Sequence, residues 1–191
     1  VWTVTIIGDV PKGTAIMRSG AQVGDIVGIT NYVGYAATGL GALSYNLDGY
    51  HMTKVGHQRP DPQIELGQQL RQLGIHSMND ISDGLGSELN EIASASNVSI
   101  VIEEKAIPLH EETYELAKYL QTNPVDYALY GGEDFQLVFT APKSLLPKLE
   151  NLAGITIIGE VVSGSAQVQM VTPDKTIKTI EAKGYNHFHE S

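Results

Sequence analysis

Ser77-Met78-Asn79-Asp80-Ile81-Ser82-Asp83-Gly84-Leu85 is the stretch that sets the fold, because it joins a strand to a helix. Ser77 to Ile81 reads as a short strand. Ser82 to Ser96 reads as a helix whose apolar face holds Leu85, Leu89 and Ile92 at helical spacing. Two carboxylates and a hydroxyl therefore stand at a strand-to-helix junction. The free N–H groups and positive dipole end of a helix favour an anion there. Asp80 and Asp83 flank that point and have the chemistry to hold a hard cation, since magnesium takes carboxylate and phosphate oxygens together. Gly84 keeps the approach free of a side chain. The plain alternative is an ordinary N-cap, with Ser82 or Asp83 capping the helix.

Working outward, Val98 to Ile102 reads as the next strand and His110 to Leu120 as a helix with Leu116, Tyr119 and Leu120 on its apolar side. Phe135 to Thr140 is a strand, and Leu145 to Leu152 a helix with Pro147 near its first turn, where proline is tolerated. Ile155 to Val161, Gln167 to Val171 and Thr176 to Ile180 are strands separated by turn signals. Upstream, Gln63 to Leu73 is a helix striped by Leu66, Leu70 and Leu73 and closed by Gly74. Tyr50 to Pro62 reads as a connection. Ala36 to Leu47 reads as a helix with Ala37, Leu40, Leu43 and Leu47 on one face, and its close Gly39 and Gly41 suggest tight packing. Asp25 to Thr30 is a buried strand, Gly8 to Gly20 a loop, and Val4 to Ile7 a β-branched strand. Helices and strands interleave early and strands cluster late, which is the pattern of a mixed sheet with helices packed on it, of α/β or α+β type.

Composition narrows the function classes. The apolar share is 42% of 191 residues, enough for a sizeable core. The formal charge of −10 disfavours nucleic acid and anionic membrane as partners, because both need clustered Lys and Arg. An anionic small molecule stays admissible where metal ions mediate the contact. With no cysteine there is no disulfide framework, thiol nucleophile or zinc–thiolate site, which is compatible with a cytoplasmic protein. No apolar run approaches ~18–20 residues, the length of a membrane span. The opening Val1-Trp2-Thr3-Val4-Thr5-Ile6-Ile7 has neither an initiating Met nor a basic flank and reads as a strand entered midway, so the chain is expected to be a fragment.

Three further stretches carry chemistry. In Tyr130-Gly131-Gly132-Glu133-Asp134-Phe135, a double glycine before adjacent acids lets backbone and carboxylate approach a ligand; the alternative is a glycine turn with solvated charges. In Arg18-Ser19-Gly20-Ala21-Gln22-Val23-Gly24-Asp25, an Arg on a glycine-flanked loop can fork onto a phosphate, or simply lie on the surface. In Gly184-Tyr185-Asn186-His187-Phe188, an aromatic can stack a flat ring or plug the core. His187 and His189 have no third ligand at a zinc spacing. The sequence has neither a phosphate-binding Gly-rich loop with Lys and Ser/Thr nor a Gly-x-Ser-x-Gly elbow.

Taken in order, the motifs resemble a known family. Arg18-Ser19-Gly20-Ala21 with Gly24-Asp25, Gly34-x-Ala36-Ala37-x-Gly39-Leu40, Arg59-Pro60-x-Pro62, Asp80-Ile81-Ser82-Asp83-Gly84-Leu85, Ile107-Pro108, Gly131-Gly132-Glu133-Asp134-Phe135, Gly159 and Gly184-Tyr185-x-His187-Phe188 are together similar to the C-terminal half of thiamine-monophosphate kinases. That family sits in the superfamily of aminoimidazole ribonucleotide synthetase, selenophosphate synthetase and a hydrogenase maturation protein. The resemblance implies an α+β fold, a layered α/β/α mixed sheet, over 25–191, with 11–24 as a connecting loop and 1–10 as the last strand of a missing N-terminal domain. It implies a homodimer, a cleft between domains, and direct transfer of the γ-phosphoryl group of ATP to thiamine monophosphate with Mg2+, by a protein inactive without its other half. Carried over residue by residue, Asp80 and Asp83 bind magnesium, Arg18 and Ser82 contact ATP, and Glu133 and Tyr185 bind the substrate, with no catalytic nucleophile. Asn31 stands where the family commonly has Gly, and Gln136 where a Glu is usual. Two alternatives remain: another ATP-dependent member of the superfamily, or a non-catalytic ligand-binding module of the same fold.

Overall fold

The computed structural model describes residues 3–183. Among them, strands β1 (Ile26–Thr30), β2 (Ser77–Ile81), β3 (Ser99–Glu103), β4 (Gln136–Ala141), β5 (Ile155–Val162), β6 (Val168–Val171) and β7 (Ile177–Ile180) form one sheet in the order β2-β4-β1-β5-β3-β6-β7. Neighbours are antiparallel except β3 and β6, which run parallel, so the sheet is mixed. The helices are α1 (Tyr35–Ser44), α2 (His51–Gln58), α3 (Ile64–Leu73), α4 (Leu85–Ser96), α5 (Glu111–Leu120), α6 (Pro124–Tyr130) and α7 (Leu146–Leu149). None is long and apolar enough to cross a membrane.

Side chains alternate across the sheet with period two, and each face finds a helical cover. On one face, Val27, Ile29, Ile100, Ile102 and Val138 pack with Leu85, Leu89 and Ile92 of α4 and Ala128 and Leu129 of α6. On the other, Ile26, Phe139 and Ala141 pack with Leu70 of α3 and Leu149 of α7. The architecture is therefore α+β in three layers. A bulge in β5 keeps this alternation intact: Val27 pairs with Gly159 but Gly28 pairs with Ile157, leaving Ile158 opposite no residue of its own. Ile158 and Val161, an odd number of residues apart, consequently face the same core. A Cβ on Gly159 would stand 2.1 Å from the Val101 carbonyl oxygen, so the bulge admits no side chain there.

Several local expectations are corrected. Val4 to Ile7 forms no strand among the described residues, and Val4, Ile6 and Ile7 are exposed, because a lone extended segment has no ladder to hold it. In α1 the buried residues are Ala36, Thr38, Gly39 and Ala42, whereas Leu40 is exposed. Close approach of α2 decides that face: a Cβ on Gly39 would lie 2.1 Å from the Thr53 carbonyl oxygen. The tight packing read from Gly39 and Gly41 is present. Part of the Tyr50–Pro62 connection is helix α2, which fully buries only Thr53. Helix α6 starts at Asn123-Pro124, where the Asn123 side chain accepts the Val125 N–H. Tyr119 of α5 is exposed. The expected helix over Leu145 to Leu152 is a 3₁₀ turn at Lys143–Leu145 followed by the single turn of α7.

Candidate functional site

Strand β2 alternates Asn79 inward and Asp80 outward, then Ile81 inward. The chain leaves β2 through half-buried Ser82 and exposed Asp83 and enters α4 at Gly84, with φ 97° and ψ 147°. Only glycine adopts that conformation readily, and a Cβ there would come 2.7 Å from the Leu129 carbonyl oxygen. No side chain caps α4, so the N-cap alternative for Ser82 and Asp83 is not what the fold uses.

An acid from the first turn of α4 reaches back instead. Glu88 is 2% exposed. Its Oε1 accepts the Asp83 N–H at 3.2 Å and lies 3.5 Å from the Ser82 hydroxyl, which donates to it. Its Oε2 accepts from Asn79 Nδ2. Asn79 Nδ2 also donates to Glu91 Oε2 at 3.1 Å, and Asn79 Oδ1 accepts from Arg18 Nε at 3.1 Å. Arg18 Nε is 3.0 Å from Glu91 Oε2. Burial pushes the Glu88 carboxyl up to about 7; the Asp83 N–H opposes this, and the charges of Glu91, Asp80 and Asp83 reinforce it.

The second motif is laid against the first. The Glu133 N–H donates to the Ser82 carbonyl at 2.8 Å, and the Phe135 N–H to the Ile81 carbonyl at 2.9 Å. The double glycine serves this approach: a Cβ on Gly132 would meet the Ser82 carbonyl oxygen at 2.5 Å, and one on Gly131 the Tyr127 carbonyl oxygen at 2.3 Å. Glu133 is exposed beside Ser82, whereas Asp134 turns inward and is 5% exposed. Its carboxylate accepts the Gly34 N–H at 2.6 Å and the Ala36 N–H at 2.9 Å, with the Tyr35 N–H adding to them, and so satisfies the free N–H groups of α1. Burial outweighs these donors and raises Asp134 to about 6.

Gln136 Oε1 accepts both the Thr30 hydroxyl at 2.8 Å and Asn31 Nδ2 at 3.1 Å. The two positions that depart from the resembled family thus touch one another, a coupling that sequence separation concealed.

Arg18 and Asp83 line one open hollow of about 640 Å³ with Ser87, Asn90 and Glu91. Asp80 opens into a different, more apolar hollow of about 470 Å³, with Ile16, Ile64, Met78 and Phe135. A third, of about 400 Å³, holds Arg59, Asn31 and Gln136 beside Tyr32 and Tyr35. The expected residues Arg18, Asp80, Ser82, Asp83 and Glu133 are thus gathered on or beside one turn, but its two aspartates line different hollows. Tyr185 lies outside the described residues. Among those residues, no group of three or more His, Cys, Asp or Glu side chains is gathered to hold a metal ion. Glu88 and Asn79 are the members that the sequence reading missed. Their signal was an acid four residues beyond Gly84 and an amide just before Asp80.

Residues 22–171 match the family of AIR synthase related proteins, C-terminal domain. The chain belongs to that family. Within it, the chain is 37% identical to thiamine-monophosphate kinase of Bacillus subtilis strain 168, over 98% of the chain and 60% of the relative. It is 35% identical to thiamine-monophosphate kinase of Haemophilus influenzae, over 99% of the chain and 60% of the relative. Among solved structures of this fold, AaThiL complexed with AMPPCP and TMP is similar at TM-score 0.77 and 34% identity, over 91% of the chain and 54% of that protein. The hydrogenase maturation protein HypE of E. coli, at TM-score 0.76 and 19% identity, shares the AIR synthase related fold alone. The chain spans 60% of the length of those first two relatives.

Proposed function

We propose that this AIR synthase related chain is the C-terminal part of a Mg2+- and ATP-dependent kinase. It transfers the γ-phosphoryl group of ATP to the phosphate of thiamine monophosphate, giving thiamine diphosphate. The observation that carries the reading is the likeness to AaThiL, a protein complexed with AMPPCP and TMP, over 91% of this chain. The geometry agrees with it: backbone hydrogen bonds from Glu133 and Phe135 hold the acceptor-side motif against the turn that bears Ser82.

In this reading Arg18 and Ser82 bind ATP phosphates, and Glu133 and Tyr185 bind the thiamine phosphate. Asp80 and Asp83 each offer a carboxylate to magnesium, but from different hollows, so each would hold a metal together with other ligands rather than share one ion with the other. Both are exposed, and neither is in a salt bridge among the described residues. Magnesium is commonly held by one or two carboxylates together with substrate phosphates. When bound, the metal offsets the charge that two anionic reactants bring together. The chain's own share is positioning: Arg18 supplies a guanidinium, and Ser82 a hydroxyl that exchanges its long 3.5 Å contact with Glu88 for a phosphate oxygen, while Glu133 orients the acceptor. The attacking phosphate oxygen is already anionic, so no side chain need act as nucleophile or general base. Further carboxylates come from an N-terminal domain, without which the chain is inactive, and the full protein is a cytoplasmic homodimer.

The test is a coupled kinase assay on the full-length protein with thiamine monophosphate, ATP and Mg2+. Formation of thiamine diphosphate is expected. A folded protein that binds ATP and yields no such product overturns the proposal.

A further inference from the structure

Arg18, Ser82 and Asp83 come from two segments far apart in sequence, yet one buried carboxylate is linked to all three. Glu88 accepts from the Asp83 N–H and the Ser82 hydroxyl with one oxygen and from Asn79 with the other. Asn79 in turn accepts from Arg18. Since no side chain caps α4, this carboxylate is the only side-chain acceptor recorded for the turn's N–H groups among the described residues. At 2% exposure, it is shielded from any ligand in the neighbouring hollows.

We infer that Glu88 is a positioning residue of the nucleotide site, fixing the Asn79–Asp83 turn and, through Asn79, the guanidinium of Arg18. This rests on the kinase reading above, in which those residues meet ATP and its metal. The chemistry of the position is specific. Once ionised, above about pH 7, the carboxylate offers acceptors only, and here it meets three donors. A glutamine of the same shape has one acceptor oxygen and an NH2 group, so one arm must face either the Asp83 N–H or Asn79 Nδ2 with a donor. Flipping the Asn79 amide to rescue that contact turns its NH2 toward Arg18 Nε, also a donor. The conflict moves along the chain of contacts rather than disappearing.

The test is steady-state kinetics of full-length wild type and Glu88→Gln at a pH above about 7, where Glu88 is ionised, varying ATP and thiamine monophosphate separately. In Glu88→Gln, KM for ATP is expected to rise roughly 10-fold or more, with KM for thiamine monophosphate within about twofold. A merely structural role would lower the melting temperature or the active fraction and leave both KM values in place, and that result overturns the inference while the active wild type keeps the kinase reading. A wild type without kinase activity overturns both. If Glu88→Gln does not fold, Asn79→Ala removes the link to Arg18 together with the Asn79 donor to Glu88 and Glu91; the same selective rise in KM for ATP is expected, and an unchanged value overturns the inference.

Discussion

Asp134→Asn sets two physical effects against each other. The carboxylate of Asp134 is buried, which disfavours its charge, and it also accepts backbone N–H groups at the start of α1, which favours it. Burial wins, raising the group from 3.8 to about 6. A gap of about 2 units at ~1.4 kcal/mol each gives about 3 kcal/mol. The sign follows from proton binding. Between about pH 4 and 6 the native carboxyl keeps a proton that the unfolded chain has released, so the unfolded state binds fewer protons and stability falls as pH rises. The contribution is fully present below the unfolded value and lost as pH rises through about 6. The substituted amide keeps the shape of the carboxyl and does not titrate. Urea unfolding of both proteins at pH 4, 5, 6 and 7 and constant ionic strength should show wild type losing about 2 kcal/mol relative to Asp134→Asn across that range, the rest being lost below pH 4. The subtraction removes the titration shared by the other carboxylates. Either a flat difference or a wild type that gains on Asp134→Asn as pH rises refutes the reasoning: the first means that the N–H donors and the dipole of α1 cancel burial, the second that they outweigh it.

Two other perturbations probe packing and chemistry. Gly39→Ala places a Cβ 2.1 Å from the Thr53 carbonyl oxygen, an atom of backbone rather than of a flexible side chain. It should destabilise the chain by about 1–3 kcal/mol in the same unfolding assay, and an unchanged midpoint contradicts the close contact of α1 and α2. On the proposed kinase reading, Asp83→Asn in the full-length protein should lower turnover at least about 100-fold, since that reading makes Asp83 a metal ligand worth several kcal/mol. Because Asp83 is exposed, its unfolding free energy should stay within about 0.5 kcal/mol of wild type; wild-type turnover removes Asp83 from the site.

How far the sequence could be read depended on how local the deciding contact was. Leu85, Leu89 and Ile92 lie on one helical face, and all three are fully buried. Strands such as β1, β3 and β5 were legible from β-branched runs between turn signals, whereas the same signal at Val4 to Ile7 marks no strand among the described residues and β2 has a single β-branched residue, Ile81. Helix α1 misled because its buried side is made of Ala36, Thr38, Gly39 and Ala42, and the approach of α2, not hydrophobicity, selects it. Helix α2 was missed because it has almost no core stripe, and α6 because its Asn123-Pro124 start was not recognised as a cap. At the candidate site, the turn around Ser82 was legible as a strand-to-helix junction with two acids. Its support was not: Asn79 and Glu88 meet only once strand and helix are packed. Asp134 was visible in its motif, but its partners Gly34 and Ala36 lie at the other end of the chain.

The sheet order has a consequence for the way the protein is made. β1 is buried at all five positions, and its two neighbours arrive far later: Ile26 pairs with Ala141 on one side and Glu160 on the other. Among the described strands, only β6 and β7 are sequence neighbours that pair as a hairpin. Translation at roughly 5–20 residues per second leaves on the order of ten seconds between synthesis of β1 and of β5. Through that interval Ile26-Val27-Gly28-Ile29 is an apolar ribbon with unpaired backbone on both edges, a segment open to association with other chains. This interior strand of the sheet is therefore the one that waits longest for its neighbours during synthesis, and the one a nascent-chain chaperone would have most reason to cover.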